Sequence, residues 1–290
     1  MTESISEKIR STRRYLRRNP SMAFGFFLLF LIAAFVIVGR LMWDLNTANP
    51  LSAPPNLEPS WDHPLGTDRQ ARDLLAVMIV GTPKTIYIGF MAGVIGVTIG
   101  TIVALIAAYY GGWVDGIIRT IIDIGLTIPP LLVLILVAVS LKASLSVNQM
   151  MLVVASLAWL YPARTIRSQA LSIRERAYVQ VARMSGAPAS SIIFREVMPN
   201  LLPYLAATFV GTVAAGVLAS IGLEVLGLSS LETNTLGVTI YLANFNAAML
   251  HGLWWWFLPP VIIIVILFVG LFGITVGLDE LANPRTRHRV

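Results

Sequence analysis

Long apolar runs alternate with short polar ones along this chain, and each apolar run is read as a membrane helix. Met22 to Gly39 is uninterrupted and long enough to cross a bilayer. It predicts a first transmembrane helix over 22–43, after a basic tail over 1–21. No small-residue cleavage site follows the run, so it is read as a helix and not as a signal peptide. From 44 to 84 the chain turns polar and Pro-rich, as an extracytoplasmic loop that must pack against something at that length.

Five more helices are expected within 85–278. They are Ile86–Tyr110, Trp113–Leu141, one beginning at Gln149 and emerging near Tyr161, Asn200–Leu228, and Leu253–Leu278. Residues 229–252 read as a second outer loop and 279–290 as a tail. Gly89, Gly93, Gly96 and Gly100 fall on one side of the second helix and predict close helix packing. Pro129 and Pro130 should break the third helix at membrane depth and shape a pathway. Arg119 and Asp123, four residues apart, are expected to form a structural ion pair. Trp43, Trp254, Trp255 and Trp256 fit an aromatic belt at the outer boundary. The fold class expected is an all-α membrane protein with six transmembrane helices.

One polar stretch departs from the alternation by its length and charge. Arg164 to Asn200 (164–200) holds six arginines against Glu175 and Glu196. Its composition favours helix up to Met184. Gly186 and Pro188 then suit a cap and a new first turn, and Pro199 is expected to stop the second helix. The segment reads as helix, sharp turn, short helix, and its two functional readings are a solvated loop or a docking element.

Composition agrees with a membrane protein, since 56% of residues are hydrophobic, 12% are charged and mean hydropathy is +0.76. The net charge of +6 does not point to nucleic acid, because the charges flank apolar runs. Of the 21 Lys and Arg residues, all but Arg40, Arg69, Arg72, Lys84 and Lys142 fall on one side of the expected topology. The positive-inside rule makes that side the cytosol, with both termini and the Arg164–Asn200 stretch on it. The site of action is therefore the cell membrane. With no Cys there is no disulfide or thiolate chemistry.

The catalytic motifs are missing. There is no phosphate-cradling P-loop, no H-E-x-x-H and no G-x-S-x-G, and His63, His251 and His288 are scattered. No catalytic or metal-binding residue is assigned. Few acids lie within the helices, Asp123 and Glu224 being the exceptions, so a proton relay lacks its parts. Energy for any uphill transport must come from a partner.

The Arg-rich segment resembles the cytoplasmic signature of permease subunits of ABC importers. That signature reads Glu-Ala-Ala, three residues, Gly, nine residues, then Ile-x-Leu-Pro. Here Gln180-Val181-Ala182, Gly186 and Glu196-Val197-Met198-Pro199 occupy those positions, with Ala182, Gly186 and Pro199 matching. His63-Pro64-Leu65-Gly66-Thr67-Asp68 with Arg72-Asp73 resembles a stretch of the dipeptide, oligopeptide and nickel permease family, with Ala71 where that family has Gly. Asp123 with Ile128-Pro129, Arg174 to Val179, and Asn283-Pro284-Arg285 are similar to further family stretches. After the fifth helix the chain departs, with Ser220 where the family has Glu and Glu224 where it has Ser.

This resemblance implies the type I ABC importer permease fold. It implies a second homologous permease, two cytosolic ATP-binding subunits and an extracytoplasmic solute-binding protein as partners. ATP and Mg would be bound by those partners and no cofactor by this chain, which is itself no enzyme. ATPase docking falls to Gln180, Ala182, Arg183, Gly186, Ala187, Pro188 and Pro199, and the pathway to Pro129, Pro130 and Glu224. Peptides are the family's default solute, oligosaccharides the next, and nickel the least suited to so few histidines. A self-contained secondary transporter and a membrane scaffold or signalling anchor are the competing readings.

Overall fold

The computed structural model describes residues 19–141, 144–188 and 191–282, and within them the chain is helical, with two isolated β-bridges and no strand. The ends expected as cytosolic tails, Lys142 and the Asn283-Pro284-Arg285 stretch lie outside the described residues, apart from Asn19 to Ser21 and Asp279 to Ala282. The helices are α1 (Pro20–Met42), α2 (Leu74–Tyr110), α3 (Gly112–Thr127), α4 (Pro130–Ser140), α5 (Val147–Ala158), α6 (Leu160–Arg174), α7 (Ala177–Met184), α8 (Met198–Val225), α9 (Leu236–Phe245) and α10 (Leu258–Ala282).

Four helical stretches are long and apolar enough to cross a membrane: α1, α2, the run Ile192–Val225 that contains α8, and Trp254–Glu280, which contains most of α10. The pair α3 and α4, bent by 84°, makes a fifth path. The sixth is α5 continued by α6, packed along α2 and running parallel to it.

The 84° bend falls where two prolines were expected to break the helix. Crowding by the Pro129 ring drives Ile128 to an extended conformation, φ −80° and ψ 131°, which ends α3. Pro130 then opens α4, where its missing N–H costs nothing. The Leu145 backbone N–H donates to the Leu228 carbonyl at 3.2 Å, and Ser230 N–H donates to the Leu145 carbonyl at 2.9 Å. These bonds tie the α4–α5 turn to the far end of α8.

At the centre stands α2, whose 37 residues extend about 55 Å at 1.5 Å per residue, well beyond the apolar thickness of a bilayer. Its glycine stripe serves two neighbours. A Cβ at Gly89 would lie 2.8 Å from the Val213 carbonyl oxygen, and one at Gly93 would lie 2.6 Å from the Val213 side chain, both on α8. A Cβ at Gly96 would lie 2.6 Å from the Ala158 carbonyl, and one at Gly100 2.9 Å from that of Trp159, at the α5–α6 joint. Side chains are absent where two backbones meet, so α8 and α5–α6 are locked to one rod.

Two expected boundaries move. The outer loop ends at Asp73, because the Asp73 carboxylate accepts from the Ala76 N–H at 3.0 Å and starts α2 twelve residues before the expected Ile86. Pro83 therefore lies inside a helix, whose first turns are held by burial of Leu74, Ala76, Val77, Met78 and Ile79. The second outer loop holds α9, capped by the Thr235 hydroxyl accepting from Val238 N–H at 3.2 Å.

The outer loop packs on buried polar bonds. Arg72, 1% exposed, donates to Asp68 at 2.7 Å and to the Asn234 side chain at 2.9 Å. Asn234 donates in turn to the Ala48 carbonyl at 3.1 Å. The Trp256 indole N–H donates to the Thr67 carbonyl at 3.0 Å, and Trp255 is buried beside it. These two tryptophans form the core under the loop and not the membrane belt expected, a correction that follows from the polar partner Thr67 offers; Trp254 stays half exposed. Ala71 is buried at φ +61°, a left-handed conformation that penalises any Cβ. Ala71→Gly is expected to stabilise the chain by about 1 kcal/mol, read as a raised unfolding temperature in detergent. An unchanged or lowered value would contradict the strain at this position.

Candidate functional site

The Arg-rich segment is organised differently from the simple pair of helices expected. Residues 164–174 are the end of α6, which packs on the inner half of α2 through Ala163, Ile166 and Ala170, all buried. The Arg174 guanidinium donates to the Ala108 carbonyl at 2.7 Å, so a cation covers the C-terminal end of α2. A break at Glu175–Arg176 follows, then the eight-residue α7. Gln180 bridges the break by donating its side-chain amide to the Arg174 carbonyl at 3.3 Å.

One side of α7 is anchored and the other is bare. Val179 is fully buried among Ala108, Ala170, Ile192, Val197 and Leu201, with Ala182 and Ala187 packed at the edge of that cluster. Val181 and Met184 are exposed, as are Arg183 and, across the turn, Phe194. Apolar side chains thus stand bare on a segment that is otherwise polar.

The turn after α7 is a two-bond helix stop. Ala187 N–H donates to the Ala182 carbonyl and Gly186 N–H to the Arg183 carbonyl, each at 3.1 Å, with Gly186 at φ +75°. A Cβ there would meet nothing within 4 Å, so glycine is needed for its backbone conformation and not for space. Pro188 leads out of the turn, its carbonyl accepting from Ile192 N–H at 3.1 Å.

Pro199 does not stop the next helix, contrary to expectation. A π-helical turn over Ile192–Val197 runs directly into α8, with Pro199 in its first turn. The wider π turn shifts the hydrogen-bond register before a residue that has no N–H to give. Helix thus runs unbroken from Ser191 through α8.

Charged side chains tie α3 to α6. Asp115 and Arg167 pair through both carboxylate oxygens, with Nε–Oδ1 at 2.5 Å, and both are mostly buried. The expected Arg119–Asp123 pair is present at 3.4 Å but exposed, and contributes little. Sequence spacing exposes pairs four residues apart and hides one 52 residues apart. A polar pocket of about 180 Å³ lies here, lined by Arg119, Asp123, Arg164, Arg167 and Ser168.

Deeper in the membrane is a cavity of about 440 Å³ between the α3–α4 bend, α5–α6 and α8. Pro130, Leu134, Leu157, Tyr161, Gly211 and Ala215 are among its walls. Of the residues expected on a pathway, Pro130 lines it, while Pro129 holds the bend without lining it. Glu224 lies elsewhere, 1% exposed and packed against Thr235 and Gly237 at the start of α9. It faces α9 because Gly237 has no Cβ to hold the two helices apart. Among the described residues no cluster of three or more His, Asp or Glu could hold a metal.

Residues 96–288 match the family described as the inner membrane component of binding-protein-dependent transport systems. The oligopeptide transport system permease protein OppC of Mycobacterium tuberculosis is 31% identical over 230 residues, 78% of each chain. The dipeptide transport system permease protein DppC of Bacillus subtilis is 31% identical over 74% of this chain and 67% of its own. The glutathione transport system permease protein GsiD of Pectobacterium atrosepticum is 31% identical over 75% of this chain and 72% of its own. A crystal structure of an amino acid ABC transporter with histidines superposes with a TM-score of 0.48 at 17% identity, covering 71% of this chain and 92% of that one.

Removing one member of the mostly buried Asp115–Arg167 pair is expected to cost about 1–3 kcal/mol, as a lowered unfolding temperature of Arg167→Gln. The double exchange Asp115→Arg with Arg167→Asp should recover part of that loss. Additive losses in the double variant would contradict the pairing.

Proposed function

We propose that this chain, which belongs to the family of inner membrane components of binding-protein-dependent transport systems, works as a peptide-importing permease by passing ATPase motion from α7 to the membrane helices. It is a permease subunit of an ABC importer in the cell membrane, and the family's hydrolysis of ATP belongs to partner subunits. The relatives named for oligopeptides, dipeptides and glutathione support a peptide-like solute.

The observation that carries the mechanism is the rooting of α7. This short helix is bare on one side, and on the other it is packed on the inner ends of α2 and α6 and on the π turn that runs unbroken into α8. A push on Val181 and Met184 by a cytosolic partner therefore reaches three membrane helices without passing a flexible joint. The reading assigns two ATP-binding subunits to that face, with Gln180, Ala182, Arg183, Gly186, Ala187 and Pro188 forming or shaping it and Pro199 setting the exit into α8. Both termini and the docking segment then lie in the cytosol, consistent with the distribution of Lys and Arg.

On the same reading, a second homologous permease faces the 440 Å³ cavity, so that the two chains enclose the pathway. Closure of the ATPases would tilt α2, α6 and α8 together and open the outer side to a docked solute-binding protein; hydrolysis would reset it. The apolar walls offer a peptide backbone few fixed partners, which leaves selection to the receptor and passage to the permease. They suit an oligosaccharide less, since its hydroxyls would lose their hydrogen bonds there.

Gly186→Asp places a side chain and a charge at φ +75° in the turn. In the transporter assembled with its ATPase subunits, solute-stimulated ATP hydrolysis should be lost while the chain still inserts and binds its partner permease. Normal coupling in that variant, or in one lacking residues 185–188, would remove the docking role.

A further inference from the structure

The polar pocket of about 180 Å³ lies on the same cleft as the apolar cavity of about 440 Å³. On α3, Arg119 and Asp123 precede Leu126 by seven and three residues, so all three share one helix face. Leu126 lines the cavity, and Arg119 and Asp123 line the pocket. On α6, Arg164 and Ser168 follow Tyr161 by three and seven residues, with the same division. The two helices run antiparallel, since Asp115 meets Arg167 while a Cβ at Gly125 would lie 2.9 Å from the Leu160 side chain. The pocket therefore sits between the cavity and the Asp115–Arg167 pair, on the side toward α7.

Charge identifies what the pocket can hold. Its three guanidinium groups, Arg119, Arg164 and Arg167, have two carboxylates beside them, Asp115 and Asp123. Arg167 is committed to Asp115 through Nε and Nη2, and Arg119 is held only loosely by Asp123, at 3.4 Å. The Arg164 guanidinium has no ion-pair partner among the described residues. The Ser168 hydroxyl already donates to the Thr165 carbonyl at 2.8 Å, which leaves recognition to the arginines. One positive charge is thus unmatched, in a planar fork that fits a carboxylate. A bilayer would meet α3 on its opposite face, where Trp113, Ile117, Ile121 and Ile124 are exposed, so a lipid phosphate is the poorer occupant.

We propose that the pocket is a subsite for the free C-terminal carboxylate of a peptide, held by Arg164 with Arg119 beside it as the solute leaves the apolar cavity. The inference rests on the reading of this chain as a peptide permease and adds the solute group that it recognises. Apolar walls cannot keep a carboxylate stripped of its hydrogen bonds, so a peptide whose side chains fill the cavity puts its charged end at the nearest unmatched cation. The cavity leaves side chains unread, and the pocket reads the one terminal group that unmodified peptides share.

The test uses the transporter assembled with its partner subunits in vesicles, and compares uptake of trialanine with that of trialanine amide at equal occupancy of the solute-binding protein. Arg164→Gln should lower uptake of trialanine about tenfold relative to that of the amide, and Arg164→Lys should recover part of the loss. A measurement without the solute-binding protein covers a receptor that rejects the amide, or a variant that fails to assemble. There Ser168→Cys, on a chain with no other cysteine, is labelled with a thiol reagent, and trialanine should slow the labelling about tenfold more than the amide does. Trialanine uptake missing from the unaltered transporter would remove the peptide reading and the subsite with it. With that uptake present, four results would overturn the subsite alone: equal losses for acid and amide in Arg164→Gln, no loss for either, equal slowing of the labelling by the two, or slowing by phosphatidylglycerol and not by trialanine.

Discussion

Backbone-to-backbone contact along α2 is the constraint from which the rest of the architecture follows. Lipid gives no hydrophobic reward for bringing apolar helices together, so association depends on how closely their surfaces fit. Gly89 and Gly93 admit α8, and Gly96 and Gly100 admit the α5–α6 joint. With those faces taken, α7 has the inner end of this three-helix unit to rest on, and the α3–α4 bend is left to form the remaining wall of the apolar cavity. A larger residue at any of the four glycines would separate the parts that the proposed mechanism needs to move together.

Much of this was legible because glycine, proline and charge act locally. The glycine stripe, the break at Pro129-Pro130 and the turn at Gly186 each follow from what one residue type does to a backbone. The resemblance in the Arg-rich segment and the His63–Asp73 stretch named the family. What the sequence concealed depends on tertiary partners. Pro83 and Pro199 are strong local breakers, yet both lie inside helices, one held by buried contacts and the Asp73 cap, the other entered through a π turn. The Asp115–Arg167 pair and the tryptophan core under the outer loop join residues far apart in the chain, which no periodicity reports. Glu224 read as a pathway residue because acids in membrane helices usually serve a function; it is buried against α9 because the facing Gly237 leaves room for it.

The two ends of the membrane unit are built in opposite ways. On the outer side the loops are closed by buried polar bonds, Arg72 to Asp68 and Asn234, and Trp256 to Thr67. Such bonds break only at the cost of unpaired buried groups, which makes the cap stiff. At the other end α7, the segment proposed to dock, is short, exposed on one side and rooted by apolar packing around Val179. A stiff outer cap and a rooted inner handle, joined by helices locked through glycine, suit a unit that tilts as a whole.

That claim is most directly tested by distance measurements between spin labels. The chain has no cysteine, so labels at Val181→Cys on α7 and Ile99→Cys on α2, both exposed, report one pair without background. In the assembled transporter, the account predicts that this distance within the chain stays the same with and without bound ATP, while the distance from the Val181 label to one on the docking turn of the second permease changes. A nucleotide-dependent change within the chain, equal to that between the permeases, would show that α7 moves on its own and would contradict the rigid unit.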